Sequence, residues 1–158
     1  MGNNGIGPFN IYCDSDPRPN RPTGVFDYDS RITFAHISDG TSNTVFVSEL
    51  ITVPGMDLRG MLHFAEGGFY HHNYTPNATQ PDSVRQNCCV STKEAPCVEG
   101  YPDWTARRVI YTARSYHSGG VNMLLGDGSV KFVTNGISQQ TWQAASSPNG
   151  GEVLGNDW

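Results

Sequence analysis

The sequence has few charged residues and no long apolar run. Charged side chains make up 16% of the 158 residues and hydrophobic side chains 37%, both low for a globular domain. The ten lysines and arginines are scattered and the net charge is −5, which excludes the basic patch of a nucleic-acid-binding or anionic-membrane-binding surface. No apolar stretch approaches the roughly 18 residues that span a bilayer.

Features of exported and catalytic proteins are also missing. Residues Met1 to Asn4 lack the charged and apolar regions of a signal peptide, so we expect any export signal to have been removed or to lie outside this sequence. There is no Gly-x-Ser-x-Gly nucleophile motif and no glycine-rich loop that could cradle a phosphate. The common serine-hydrolase and nucleotide-binding motifs are therefore excluded.

Glycine and proline are abundant, with 18 and 10 residues respectively, and they predict a loop-rich chain with few short helices. The length suits one globular domain over residues 1–158. Within it, residues 1–30 are expected to form an irregular strap, 54–102 a long loop excursion and 109–153 a C-terminal hairpin region.

The predicted fold class is mainly β or α+β, built on an antiparallel sheet. Asp127-Gly128 between two apolar runs is a strong hairpin signal. Residues 138–145 suggest a short helix with Trp142 facing inward. The predicted strands are rich in β-branched and aromatic residues and lie at 32–34, 44–50, 121–125 and 129–133.

Four cysteines, Cys13, Cys88, Cys89 and Cys97, allow three fully paired connectivities. Adjacent cysteines rarely bond each other, so we expect one of Cys88 and Cys89 to bond Cys97 across a short loop and the other to bond Cys13. Disulfides of this kind suit an extracytoplasmic compartment. The alternative is a thiolate metal site, although the spacing matches no common zinc motif.

Three segments together resemble a known family. They cover most of residues 30–153, and they resemble a prepilin-like family of unknown function that is abundant in planctomycetes. The segments are Ile37 to Thr44 with Glu49, then Thr75-Pro76-Asn77, and finally His117 followed after nine residues by Asp127-Gly128.

The resemblance implies the fold and setting of a pilin-like head. Members of that family are similar in carrying a pilin-like helix followed by a β-rich head. Membrane tethering and assembly with other pilin-like subunits are therefore implied. The apolar helix is missing from this sequence, so we expect membrane contact only through a helix outside it.

His117 allows two interpretations. In the structural one, Gly119-Gly120 and Asp127-Gly128 shape a hairpin, and His117 bonds a backbone carbonyl at the entrance to a strand. In the catalytic one, His117 works with Asp127 or Glu49 as an acid–base group or a metal ligand.

Two segments could hold metal ions. Asp39, Ser42 and Asn43 offer oxygen ligands for calcium, which pseudopilin heads are known as a class to bind in a loop. The alternative is a polar turn whose side chains bond local backbone groups. A transition-metal site for copper or zinc is the second expectation, with imidazole ligands from His63, His71 and His72.

These observations favour a non-enzymatic extracytoplasmic head domain for surface assembly, secretion or ligand capture. A secreted polysaccharide-active enzyme is the rival, either a metal enzyme or a glycoside hydrolase with a carboxylate pair such as Glu49 and Asp127. The third hypothesis is a carbohydrate-binding module, which presents aromatic side chains to polysaccharide. Its candidate residues are Tyr70, Tyr74, Trp104 and Tyr111.

Overall fold

The computed structural model describes residues 1–6, 24–27, 31–64, 66–103 and 108–158. The fold is mainly β, as the sequence predicts. The strands are β1 (Gly2–Asn3), β2 (Val45–Ser48), β3 (Phe69–Tyr70), β4 (Asp82–Arg85), β5 (Cys97–Tyr101), β6 (Gly120–Leu125) and β7 (Val130–Thr134).

A five-stranded sheet with the strand order β3-β1-β2-β6-β7 forms the centre of the fold. Its neighbouring strands are antiparallel, except for β1 and β3, which are parallel. Strands β4 and β5 form a separate two-stranded parallel sheet. The strand predicted at 44–50 corresponds to β2, which pairs with both β1 and β6.

The hairpin of β6 and β7 is confirmed around Asp127-Gly128. Gly128 has a φ of +86°, a left-handed conformation that glycine adopts without strain, and its amide donates to the Leu125 carbonyl at 3.0 Å. The Asp127 carboxylate accepts from the amide of Ser129 at 2.9 Å and from its hydroxyl at 2.6 Å. These bonds close the turn locally, which is why the sequence alone could predict it.

The predicted C-terminal helix is α1 (Gln139–Ala144). Ser138 caps its first turn by accepting a hydrogen bond from the Thr141 amide at 3.3 Å. Trp142 is fully buried, so its inward orientation is confirmed. No helix in the described parts of the chain is long and apolar enough to cross a membrane.

Buried apolar side chains form two clusters, which we call the sheet core and the excursion core. Leu50 packs against both. The sheet core lies between the large sheet and α1 and includes Val45, Tyr70, Val121, Met123 and Trp142. The excursion core is built mainly from the segment 54–102 and comprises Leu58, Val84, Cys97, Tyr101, Val109 and Tyr111.

Two local predictions differ from the structure. The β-prone residues 32–34 do not form a strand; a 3-10 helix covers Phe34–His36, and the Thr33 amide donates to Nδ1 of His36 at 3.1 Å. This side-chain bond stabilises a turn where propensity favours a strand. The expected irregular strap begins instead with β1, because Gly2 and Asn3 insert between β2 and β3.

One disulfide joins Cys89 to Cys97, which confirms the predicted bridge across a short loop. It ties the start of β5 to the loop that follows β4. Cys88 carries a free thiol in the described structure, so the expected second bridge is not formed there. Cys13 lies outside the described residues.

Candidate functional site

Glu49 directly follows β2. Its side-chain carboxylate takes the place of the next backbone acceptor in the hydrogen-bond ladder between β2 and β6. The register pairs Ser48 with Met123, and beyond that point the backbone of β2 diverges, since the Glu49 carbonyl accepts from the Arg114 amide at 3.1 Å. The Glu49 carboxylate then accepts from the amide of Asn122 at 2.7 Å. This carboxylate satisfies a β6 donor that would otherwise be left without a ladder partner.

His117 pairs with this carboxylate rather than with a backbone carbonyl. Its Nε2 lies 3.0 Å from Oε1 of Glu49 and 3.0 Å from Nδ2 of Asn122, so the ring tautomer decides whether this nitrogen donates to the carboxylate or accepts from the amide. The two side chains are 52% and 34% exposed, so the pair lies at the surface. The His117 ring also meets the Phe132 ring edge to face, with centroids 6.4 Å apart.

Asn77 positions the loop that carries His117. With a φ of 54°, it sits in the left-handed region, which asparagine tolerates better than most residues. Its Oδ1 accepts from the Ser115 amide at 2.9 Å, and its Nδ2 donates to the Gly120 carbonyl at 3.2 Å. The Ser115 hydroxyl donates to the same carbonyl and accepts from the His117 amide. The segments containing Glu49, Asn77 and His117 therefore meet at one end of β6.

Asp127 lies at the other end of β6 and takes no part in this cluster. Its amide donates to the Thr41 carbonyl at 3.2 Å, and the Gly126 amide donates to the Thr44 carbonyl at 3.0 Å. Gly126 allows this contact, because a Cβ there would lie 2.6 Å from the Phe46 ring. Bonds to Ser129, first from its hydroxyl, hold the pKa of Asp127 below its usual value. His117 and Asp127 thus lie at opposite ends of β6.

The polar side chains of the turn at 39–43 do not converge on a point. The Asp39 carboxylate accepts from the Gly151 amide at 3.1 Å. The Asn43 side chain donates to the Asp39 carbonyl at 3.0 Å, so its amide group bonds the backbone of its own turn. Ser42 is exposed. This is the geometry of the alternative that we gave for the segment, a polar turn with local bonds.

The three histidines expected to bind a transition metal have different surroundings and partners. His63 is exposed beside Phe64, whereas His71 and His72 are fully buried. His71 accepts from the Tyr111 amide through Nδ1 at 3.0 Å. His72 lies 2.6 Å from the Trp142 carbonyl through Nδ1 and stacks on the Trp142 ring at 3.9 Å.

Burial determines the protonation of the two buried histidines. It lowers the pKa of both His71 and His72 to about 3, so both rings are neutral at pH 7. Throughout the described ranges, no group of three or more His, Cys, Asp or Glu side chains is placed to hold a metal ion.

The aromatic residues expected to contact carbohydrate do not form a surface platform. Tyr70 belongs to the sheet core and Tyr111 to the excursion core, and both are fully buried. Their aromatic character serves packing, and burial raises the pKa of each phenol. Tyr74 is half-buried. Trp104 lies outside the described residues.

A buried ion-pair network was not anticipated from the sequence. Asp82 is fully buried and contacts Arg59 at 3.0 Å and Arg114 at 3.0 Å. Arg59 also pairs with Asp57 at 2.8 Å. Two arginines and two aspartates balance in charge, and the network joins the segment 54–102 to the chain after β5. Arg59 and Asp82 are 23 positions apart in the sequence, and Asp82 and Arg114 are 32 apart, so no local sequence pattern could predict the network.

A second buried polar contact lies in the excursion core. The Tyr101 hydroxyl donates to the Glu66 carboxylate at 3.1 Å, and Arg85 lies 4.0 Å from the other carboxylate oxygen. Burial, followed by the charge of Glu66, raises the pKa of Tyr101. The Cys88 amide donates to the Arg85 carbonyl at 3.0 Å. These groups bond one another inside the fold, which is typical of a structural role.

A cavity of about 320 Å³ opens on the side of β2 that faces away from the sheet core. The Phe46 ring packs against Phe26 and Phe34, with centroid distances of 6.1 and 6.4 Å. Glu49 and His117 do not line it. The lining residues are Val25, Phe26, Asp27, Ile32, Thr33, Phe34, Ile37 and Phe46.

Comparison with known families shows which family the chain belongs to. The model of a family described as "Protein of unknown function (DUF1559)" matches residues 6–140. The chain belongs to this family. The DUF1559 match includes all three segments that meet β6, so the contacts of Glu49, Asn77 and His117 lie within the family's shared region. No curated protein and no solved structure gives a significant match to the chain.

Proposed function

We propose that this chain is an extracytoplasmic, pseudopilin-like head domain that catalyses no reaction and serves surface assembly, secretion or ligand binding. The observation that carries the proposal is the mutual bonding of Glu49, Asn77 and His117. Each of these side chains bonds another of the three segments or the backbone of β6. Side chains used in this way hold strands and loops together. This structural role accounts for the presence of the three residues without a substrate.

The disulfide supports the extracytoplasmic setting. Structural disulfides form and persist in oxidising compartments and are rare in the cytosol. The Cys89–Cys97 bridge stabilises a loop-rich segment, because Cys97 is buried in the excursion core. A chain with this bridge is suited to the periplasm, the cell surface or the surrounding medium.

The geometry favours the head domain over a glycoside hydrolase. Paired catalytic carboxylates lie about 5 to 9.5 Å apart across a groove. Asn122, which bonds Glu49, and Asp127 are five residues apart along β6 and its turn, so at about 3.3 Å per residue their backbones are separated by up to roughly 16 Å. The Glu49–His117 pair is also outside the Phe46 cavity, whose lining is mainly apolar.

The catalytic alternative is tested with the variants Glu49→Gln and His117→Gln on a panel of soluble polysaccharides. Release of reducing ends is measured over hours, together with thermal unfolding. We expect no release by any of the three proteins and a lower melting temperature for Glu49→Gln. Turnover by the wild type that either variant abolishes at unchanged melting temperature would contradict the proposal.

The location is tested on intact source cells with a membrane-impermeant amine reagent. We expect this protein to be labelled while a cytoplasmic marker is not, and non-reducing peptide mapping of the recovered chain to contain the Cys89–Cys97 bridge. Labelling that requires cell lysis, with both cysteines reduced, would place the protein in the cytoplasm and refute the extracytoplasmic part.

A further inference from the structure

The sequence contains three asparagine–glycine pairs, Asn4-Gly5, Asn135-Gly136 and Asn149-Gly150. In such a pair the backbone nitrogen of the glycine can attack the side-chain carbonyl carbon of the asparagine, because glycine has no Cβ to hinder the approach and adopts many backbone conformations. The attack converts asparagine to aspartate or isoaspartate. All three pairs share this local chemistry, so the fold decides which of them reacts.

Burial and hydrogen bonds restrain the first pair. Asn4 is fully buried, and its Nδ2 donates to the Phe26 carbonyl at 2.7 Å. The Gly5 amide, which would have to attack, is held by a hydrogen bond to Oδ1 of Asn3 at 2.7 Å. Neither partner of the reaction can therefore approach the other without local unfolding.

The second pair is exposed but lies in a closed turn. The Ile137 amide donates to the Thr134 carbonyl at 3.2 Å across Asn135-Gly136. Oδ1 of Asn135 accepts from Nδ2 of Asn77 at 2.9 Å, so the side chain is held as well. Rotation of this side chain toward the Gly136 nitrogen has to break that bond.

The third pair lacks these restraints. Asn149 and Gly150 are both exposed. Within the described parts of the chain, neither the Asn149 side chain nor the Gly150 amide makes a hydrogen bond. The Asn149 amide donates to the Ser147 hydroxyl at 3.4 Å, a bond that leaves the side chain able to rotate.

We propose that Asn149 is a site of spontaneous deamidation in the folded protein. The Gly150 nitrogen attacks Cγ of Asn149, a C–N bond forms, the Cγ–Nδ2 bond breaks, and Nδ2 leaves as ammonia with the proton from Gly150. Water then opens the resulting succinimide to aspartate or isoaspartate. The net reaction consumes one water, needs no oxidant or reductant, and adds one negative charge to the chain.

The new charge lies between two contacts of Asp39. The Asp39 amide donates to the Pro148 carbonyl at 3.2 Å, and the Asp39 carboxylate accepts from the Gly151 amide at 3.1 Å. A carboxylate at position 149 repels that of Asp39, and isoaspartate also adds a methylene to the main chain between the two contacts. Deamidation therefore loosens the contact between the turn at 39–43 and the C-terminal segment as the protein ages. This inference does not depend on the proposed function.

The site is identified by incubating the folded wild type at mildly alkaline pH and following the three pairs by peptide mapping with mass spectrometry. We expect Asn149 to convert several-fold faster than Asn135, and Asn4 to stay intact. In denaturant, where the fold is absent, the three should convert at similar rates. Conversion of Asn135 or Asn4 as fast as Asn149 in the folded protein would overturn the assignment, and so would an Asn149 that stays intact.

The role of Gly150 is tested with two matched variants. Gly150→Ala adds a methyl group that hinders the attack and should slow the conversion of Asn149 on the order of tenfold. The added Cβ displaces only the carboxylate of Glu152, which ends a flexible and exposed side chain. Gly136→Ala, whose Cβ would lie 4.0 Å from Oγ1 of Thr134, should leave the conversion of Asn149 unchanged. Equal rates in Gly150→Ala and the wild type would contradict attack by the Gly150 nitrogen.

The effect on the Asp39 contact is tested with Asn149→Asp, which carries the new charge from the start. Hydrogen exchange at the Gly151 amide should be several-fold faster in this variant than in the wild type. Asn135→Asp adds the same charge elsewhere and should leave that exchange unchanged. Equal exchange in the wild type and Asn149→Asp would show that deamidation does not loosen the contact.

Discussion

Asp82 holds together two parts of the chain with one carboxylate. Oδ1 accepts from the Thr112 amide at 3.0 Å and from Arg114, while Oδ2 accepts from Arg59. Arg114 then extends to the carbonyls of Ala78 and Gln80. Both oxygens of the buried Asp82 carboxylate therefore accept hydrogen bonds, two of them from arginines. A buried charge is tolerated under this condition.

Replacing Asp82 with asparagine should lower the free energy of unfolding by about 3–5 kcal/mol, because two buried arginines would then face one remaining carboxylate. Urea unfolding followed by circular dichroism measures the loss. The matched control is Glu94→Gln, at an exposed position, which should change stability by no more than about 0.5 kcal/mol. Similar effects of the two substitutions would show that the network contributes little.

The buried histidines predict sensitivity to acid. The pKa of His71 and His72 in the folded state is about 3, below the unfolded value of 6.5. Between these values the unfolded chain binds more protons, so stability is complete above pH 6.5 and falls as the pH decreases toward 3. The expected slope is about 1.4 kcal/mol per pH unit for each histidine.

The slope is measured from urea midpoints between pH 7 and pH 4. In His71→Asn, the side-chain oxygen can accept the Tyr111 amide in place of Nδ1, and the histidine part of the slope should halve. His63→Gln, at an exposed position, should leave it unchanged. An identical slope in wild type and His71→Asn would mean that His71 does not stay neutral in the fold.

At the scale of elements, β2 and β6 are fixed to each other at both ends. Glu49 and His117 close one end, and the hairpin turn bonds the turn at residues 41–44 at the other. Residues 41–44, Asn77 and His117 each bond one end of this strand pair.

Two substitutions at Glu49 separate its two contacts. Glu49→Gln keeps an acceptor for the Asn122 amide and replaces the carboxylate next to His117 Nε2 with a neutral amide, so it should cost less than about 1 kcal/mol. Glu49→Ala removes both and leaves a strand amide without its acceptor, so it should cost about 1–3 kcal/mol. Chemical denaturation of the two variants at pH 7 distinguishes them, and equal losses would show that the fold does not depend on a side-chain acceptor for the Asn122 amide.

Elements with local signals could be predicted from the sequence, whereas those that depend on distant partners could not. The hairpin at Asp127-Gly128 and the helix around Trp142 follow from turn chemistry and apolar spacing within a few residues. Strand β1 has only two residues, and it exists because β2 and β3 supply partners on both sides. The sequence offered both Glu49 and Asp127 as partners of His117. Which of the two lies next to it depends on the β2–β6 register, which no local pattern reveals.

At the scale of the whole molecule, the sheet core and the excursion core are linked by Leu50 and by the Asp82 network. These links predict one cooperative unit, consistent with the single domain expected from length. Hydrogen exchange of amides in β4 and β6 under mild denaturant should therefore give the same opening free energy.

Leu50→Ala is expected to cost about 2 kcal/mol and to make β4 exchange before β6, because it removes the apolar contact shared by the two cores. Val153→Ala is the control, since that side chain is 88% exposed and touches neither core. Exchange of β4 well before β6 in the wild type would show two independently folding units.

The segment from β4 to β5 affects how the family can diversify. Its two strands form a sheet of their own outside the large sheet, and the Cys89–Cys97 disulfide closes the loop between them. This loop can therefore be lengthened, shortened or exchanged during evolution while the large sheet stays intact. Relatives with a different loop are expected to retain an acidic residue at position 82, opposite Arg114, and to vary between the two strands.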